Sequence, residues 1–127
     1  MKKTDKFSIS KRQKSFSYAF NGLKYLIKYE HNFRIHLFAA IFIIIIGFVF
    51  KLTLTEWSIL LIIISIVFIT EIINSSIECL ADFISPEYSE FIKKVKDLSS
   101  SAVLVAALVS IIIGIIIFLP KIYTCFN

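Results

Sequence analysis

Three apolar runs dominate the chain: LFAAIFIIIIGFVF at 37–50, WSILLIIISIVFIT at 57–70 and AVLVAALVSIIIGIIIFL at 102–119. A bilayer core needs ~20 apolar residues from a spanning helix. The first run reaches that length only if its helix extends back through Phe33 and Ile35 and forward through Leu52. The expected spans are therefore 35–52, 57–81 and 100–119. Transmembrane β-barrels show ~10-residue alternating segments, whereas these runs are continuous, so helices are expected. Apolar residues make up 57% of the 127, with three Gly and two Pro, too oily a balance for a soluble domain of this size. The expectation is one all-α integral membrane domain over 1–127.

Ahead of the spans, residues 8–34 read as one amphipathic helix. Phe16, Phe20, Leu23 and Ile27 form an apolar stripe, with Lys14, Lys24 and Lys28 off it. Such a helix lies in the membrane interface or packs on the protein's own core, and the two are compatible. Thr55 is the expected N-cap of the second span, and Trp57 suits an interfacial belt. Pro86 breaks the helix after it, and Pro120 is expected to end the third span. The 34 largely polar residues before the first run show no secretory signal.

Nine of the 14 Lys and Arg precede residue 35, and eight of the nine acids lie at or after Glu30. A basic arm beside membrane spans reads as an anchor to anionic headgroups, and a nucleic-acid partner is not expected. Lys93, Lys94 and Lys96 flank the second connection. Lysine asymmetry then puts the amino terminus and that connection in the cytoplasm, and the carboxyl terminus outside. Cys79 and Cys125 fall near opposite membrane faces, so they are not expected to pair.

Against this oily background the stretch EIINSSIECLADF at 71–83 stands out. On a helix Glu71, Asn74, Glu78 and Asp82 share an arc of about 80°. Glu71 and Glu78 lie ~10 Å apart along the axis, too far to share a metal but suited to opposite ends of one extended substrate. Glu71 follows directly on an apolar run, and an ionisable residue there is a functional candidate. Asp82 reads equally as a solvated helix end. In KKVKDLSSS, Lys96 suits phosphate oxygens and Asp97 can orient it or hold a metal, while Lys93 and Lys94 read as flanking charges. In YEHNFRIH, Glu30 and Arg34 form a possible helix ion pair. His31 and His36 sit on poorly aligned faces, against a zinc site. Carboxylates without Cys or His partners suit Mg²⁺, which brings phosphates with it, so a membrane-edge phosphoryl-transfer site is one reading. A small non-enzymatic transporter or assembly subunit with a proton-coupled Glu71 is the other.

EIINSSIECLAD followed by VKDLSSSAVLVAA resembles the diacylglycerol kinase and undecaprenol kinase family of small prokaryotic membrane lipid kinases. The family's pattern is approximately E-x-x-N-[ST]-[AS]-x-E-x-x-x-D and then K-D. The resemblance covers about residues 11–119. It implies a homotrimer of three-span subunits with an amphipathic surface helix and active sites shared between neighbours. It implies ATP- and Mg²⁺-dependent phosphorylation of a lipid hydroxyl at the plasma membrane. Glu71 would match the general base, with Asn74 and Ser100 at the lipid. Glu30 and Glu78 would match the Mg²⁺ ligands. Lys96 and Asp97, with Lys11, Tyr18 and the stretch Glu87, Tyr88 and Ser89, would lie at the nucleotide. Asn32, Ile35 and His36 resemble the Gram-positive branch, which favours undecaprenol over diacylglycerol. Lys11 stands where Arg is common, and Ser89 where some members have His.

Overall fold

The computed structural model describes residues 8–127, as four helices: α1 Ile9–Tyr29, α2 His31–Val49, α3 Leu54–Ile84 and α4 Glu90–Phe126. Among the described residues there is no strand. The helices α2, α3 and α4 are each long and apolar enough to cross a membrane.

The continuous helix expected over 8–34 is instead broken at Glu30. Its backbone is extended (φ −106°, ψ 108°), so it closes α1 and opens α2 at once. Its N–H still donates to the Leu26 carbonyl (2.9 Å), and its own carbonyl accepts from Arg34 N–H (3.2 Å). One extended residue redirects the chain with little loss of backbone hydrogen bonding. No Gly or Pro marks the place.

The α2–α3 turn is built from recognisable chemistry. Lys51 adopts a left-handed backbone (φ 54°) just past the end of α2. Leu52 N–H donates to Gly47 O (3.2 Å) and Lys51 N–H to Phe48 O (3.3 Å), the paired bonds of a Schellman cap. Thr53, not Thr55, caps α3. Its hydroxyl accepts from Glu56 N–H (3.2 Å), while Glu56 Oε1 accepts from Thr53 N–H (3.3 Å). The reciprocal capping box needs an acid three residues on, which Thr53 has and Thr55 lacks.

At the other end Ser85 closes α3 and Ser89 opens α4 by accepting from Ile92 N–H (3.4 Å). The helix α4 then runs through Pro120 to Phe126, where a stop was expected. Proline removes one hydrogen bond in the preceding turn, yet its φ suits a helix. Here two contacts support the final turns: Thr124 Oγ1 donates to Pro120 O (2.8 Å), and Lys121 Nζ pairs with Glu56 (3.1 Å) at the start of α3.

The helices α3 and α4 form the main antiparallel seam. Ion pairs close both of its ends, Lys96 with Asp82 and Lys121 with Glu56. The two lysines are 25 residues apart and the two acids 26, so one register satisfies both. Between them, Leu52, Leu60, Ile117 and Phe118 make a buried cluster. The helix α2 packs on α3, with Phe33 against Phe68 (5.3 Å between rings). Gly47 brings the backbone of α2 against Trp57: a Cβ there would meet the indole at 2.7 Å. Much of each span's apolar surface stays uncovered by the chain itself, as with Phe38, Ile62 and Ile116. Hydrocarbon is a suitable solvent for such faces.

Candidate active site

The buried side of α3 reads Leu60, Ile63, Val67, Glu71, Asn74, Ser75 and Ala81. One helical stripe thus changes from apolar to polar without leaving the packed face. Spacings of three and four keep these side chains in line. Glu71 is therefore drawn inside by the same periodicity that buries Leu60 and Val67. At 1% exposure it is the most completely buried large side chain of the described residues.

Its surroundings do not satisfy it. Glu71 Oε2 has no hydrogen-bond partner, and neither do Asn74 Oδ1, Ser75 Oγ and Ser99 Oγ. A buried polar group without a partner costs about 1–3 kcal/mol, so these four are candidates for partners from outside the chain. The nearest basic group to Glu71 is His36 on α2, with Nε2 at 3.9 Å from Oε2. Glu78 and Glu30 also act on Glu71 electrostatically, both as like charges. The break at Glu30 and the stripe on α3 thus gather Glu30, Glu71 and Glu78 into one acidic neighbourhood.

Lys93, Lys94 and Lys96 of α4 stand at the Asp82 end of the α3–α4 seam, with Lys121 at the other. Lys96, expected at phosphate, is held by Asp82 across the seam. Asp82 is thereby separated from an ordinary solvated helix end. Asp97 does not orient Lys96; it accepts from Lys93 Nζ at 2.6 Å, one turn back on its own helix. Nor does Arg34 pair with Glu30. Its Nη2 lies 2.8 Å from His31 Nδ1, which also separates His31 from His36.

The remaining candidates are less gathered. Ser100 faces outward, whereas its neighbour Ser99 is buried against α3. Lys11 and Tyr18 lie on the exposed surface of α1, Glu87 and Tyr88 on the exposed connection, and Ser89 is occupied as an N-cap. Ser75 and Ser99, buried without partners, and His36, beside Glu71, are not among the residues selected from the sequence. Ser75 could have been found, since it lies on the Glu71 stripe. Choosing Ser99 over Ser100 requires knowing which side of α4 meets α3.

A groove of about 540 Å³ opens between α1 and α3, lined by Ala19, Gly22, Tyr25, Ser75 and Cys79 among others. Small side chains on both helices leave the space. Tyr25 reaches Cys79 across it, and that contact, through charge and then hydrogen bonding, raises the phenol above its ordinary pKa. Partial burial, Glu30 and Tyr29 add to the shift. Cys79 and Cys125 are both free.

Three membrane-length helices with a buried, unsatisfied carboxylate midway along α3 define a multi-pass membrane protein with a polar cluster set into its packed interior. Comparison with known proteins narrows that class. The sequence profile described as prokaryotic diacylglycerol kinase matches residues 17–118. The chain is 39% identical over 108 residues to the undecaprenol kinase of Bacillus subtilis, covering 85% of this chain and 88% of that one. It is 33% identical over 107 residues to a diacylglycerol kinase of Synechocystis, covering 84% and 61%. With the diacylglycerol kinase of Escherichia coli K12 it shares 32% over 99 residues, covering 78% and 81%. The chain belongs to the prokaryotic diacylglycerol kinase family and is a membrane lipid kinase.

Proposed function

We propose that the protein transfers the γ-phosphoryl group of ATP to the hydroxyl of undecaprenol at the cytoplasmic face of the plasma membrane. The observation that carries the site assignment is Glu71, a buried carboxylate whose Oε2 has no partner within the chain. The undecaprenol assignment rests on the likeness to the Bacillus subtilis enzyme, whose match extends over most of both chains. Diacylglycerol is the second reading, supported by the names of the Synechocystis and Escherichia coli relatives.

In this reading Glu71 is the general base. The lipid hydroxyl enters from the bilayer, its tail lying in the groove between α1 and α3, whose lining includes Ser75. The carboxylate takes the hydroxyl proton as the oxygen attacks the γ-phosphorus and ADP leaves. Asn74, one turn from Glu71, donates from its amide nitrogen to the lipid oxygen, whose single proton goes to Glu71. Ser100, exposed on α4, is assigned to the lipid as well.

The nucleotide side is assigned to Lys96, Asp97, Lys11, Tyr18, Glu87, Tyr88 and Ser89. Asp82 keeps the Lys96 ammonium near this end of the seam until phosphate competes for it. Among the described residues no three His, Cys, Asp or Glu side chains converge on a metal position. Mg²⁺ arriving with ATP does not need three, because it commonly binds through one or two carboxylates plus phosphate oxygens. Glu30 and Glu78 fit that role, and the ion would neutralise phosphate charge during transfer.

The lysine asymmetry supports a cytoplasmic amino terminus and 85–89 connection, with the carboxyl terminus outside. The helix α1, whose Leu26 is its one buried residue, suits the membrane surface. The exposed nucleotide candidates on α1 and the 85–89 connection fit a homotrimer in which a neighbour completes each site.

The test is purified protein with radiolabelled ATP and Mg²⁺, offered undecaprenol and diacylglycerol separately in mixed micelles. Label in undecaprenol is the expected result. Label only in diacylglycerol selects the second reading, and label in neither overturns the substrate assignment.

A further inference from the structure

Glu71 is short of favourable neighbours. Two of the three groups that act on it electrostatically, Glu78 from its own helix and Glu30 from the α1–α2 break, are acids that repel a carboxylate. The third is His36, 3.9 Å away and facing the orphaned Oε2. From α4 the same region receives Ser110, which lines a cavity of about 100 Å³ beside His36 together with Ala40, Ile63, Val67 and Phe68.

The placement of His36 follows from α2. Phe33 and Ala40 are the buried residues of that stretch, and positions 33, 36, 37 and 40 share one helical face. His36 is thus carried on the packing stripe of α2 toward Glu71 on the packing stripe of α3. Its side chain keeps 23% exposure against 2% for Glu71, so it meets the carboxylate without being sealed in. The gap exceeds a hydrogen bond, and catalytic hydrogen bonds commonly tighten only when substrate is bound.

We propose that His36 is the positioning residue for Glu71: its Nε2–H donates to Oε2 and turns the other carboxylate oxygen toward the lipid hydroxyl. The inference rests on Glu71 being the base. A carboxylate with two like-charged neighbours and little water needs one donor to stay ionised and one free oxygen to receive a proton. His36 supplies the first and leaves the second.

The experiment compares full-length wild type, His36→Leu, His36→Gln and Glu71→Gln in micelles, with ATP and the lipid that wild type phosphorylates. Expected for His36→Leu is a loss in kcat of about tenfold to a hundredfold with the KM for ATP nearly unchanged. His36→Gln keeps a donor and should recover much of kcat. A His36→Leu enzyme with wild-type kcat overturns the proposal. So does a fall in kcat without Gln rescue, which is a packing effect. If His36→Leu does not fold, His36→Asn, too short to reach Oε2, carries the same expectations. Glu71→Gln separates the two ideas: if it turns over normally, the base assignment fails whatever His36 does, whereas an inactive Glu71→Gln beside an indifferent His36→Leu removes only the His36 role.

Discussion

Lys96 of α4 is ion-paired with Asp82 of α3 across the antiparallel seam, about three helical turns beyond Glu71. Both side chains keep substantial exposure, 36% and 66%, so the pair contributes little to stability, about 0–1 kcal/mol. In the proposed assignment it places an ammonium on the phosphate side of the site. Lys96→Met is expected to raise the KM for ATP and lower kcat/KM by about tenfold or more, on the scale of a lost charged contact. Asp82→Asn should do less, and nothing further in a Lys96→Met background. Additive losses in that cycle would show that Asp82 acts independently of Lys96.

Glu71→Gln should separate activity from stability. Removal of a general base costs about 10²–10⁴ in rate. The same change replaces a buried, unpaired carboxylate with a neutral group of equal size. The thermal midpoint in detergent should therefore hold or rise while turnover collapses, with ATP binding retained. A clear fall in the midpoint would mean that the charge supports the fold.

Glu78→Gln tests the metal assignment. With one of two carboxylates removed, the Mg²⁺ concentration for half-maximal activity should rise by about tenfold or more, the scale of one lost charge-assisted contact. The apparent KM for the lipid should hardly change. A wild-type Mg²⁺ titration would remove Glu78 from the metal site.

Gly47 is where α2 comes closest to the Trp57 ring. A Cβ there would lie 2.7 Å from the indole, so Gly47→Ala should destabilise by about 1–3 kcal/mol. Thermal unfolding of Gly47→Ala alone and with Trp57→Leu checks this, since the smaller side chain should recover much of the loss.

Lys51 holds a left-handed backbone in the cap that joins α2 to α3. Lys51→Gly should stabilise by up to about 1 kcal/mol, the relief of that conformation being offset in part by a freer unfolded chain. Lys51→Val should destabilise. Equal midpoints for the two variants would argue against the left-handed cap.

Much of this protein could be read without coordinates. Three oily runs specify membrane helices because nothing else buries that many apolar residues with so few breakers. The polar stripe at Glu71, Asn74 and Glu78 was equally legible, since helical periodicity is a local property. Legibility failed where two local signals competed or where none existed. Thr53 and Thr55 both precede the second span, and the acid at position 56 decides between them. At Glu30 no residue type announces a break. Pro120 announces one that does not occur.

What the sequence by itself determined is therefore the solvent, the helices and the direction in which each helical stripe points. Tertiary structure alone decided which groups those stripes meet. It gave Asp82 to Lys96 and Glu56 to Lys121, and left Glu71 facing His36. The reason is physical: a hydrophobic pattern specifies a buried face, but the register between two antiparallel helices sets which charges come within reach. Here that register is closed by ion pairs at both ends of the α3–α4 seam, between residues too distant in sequence for any local rule to join.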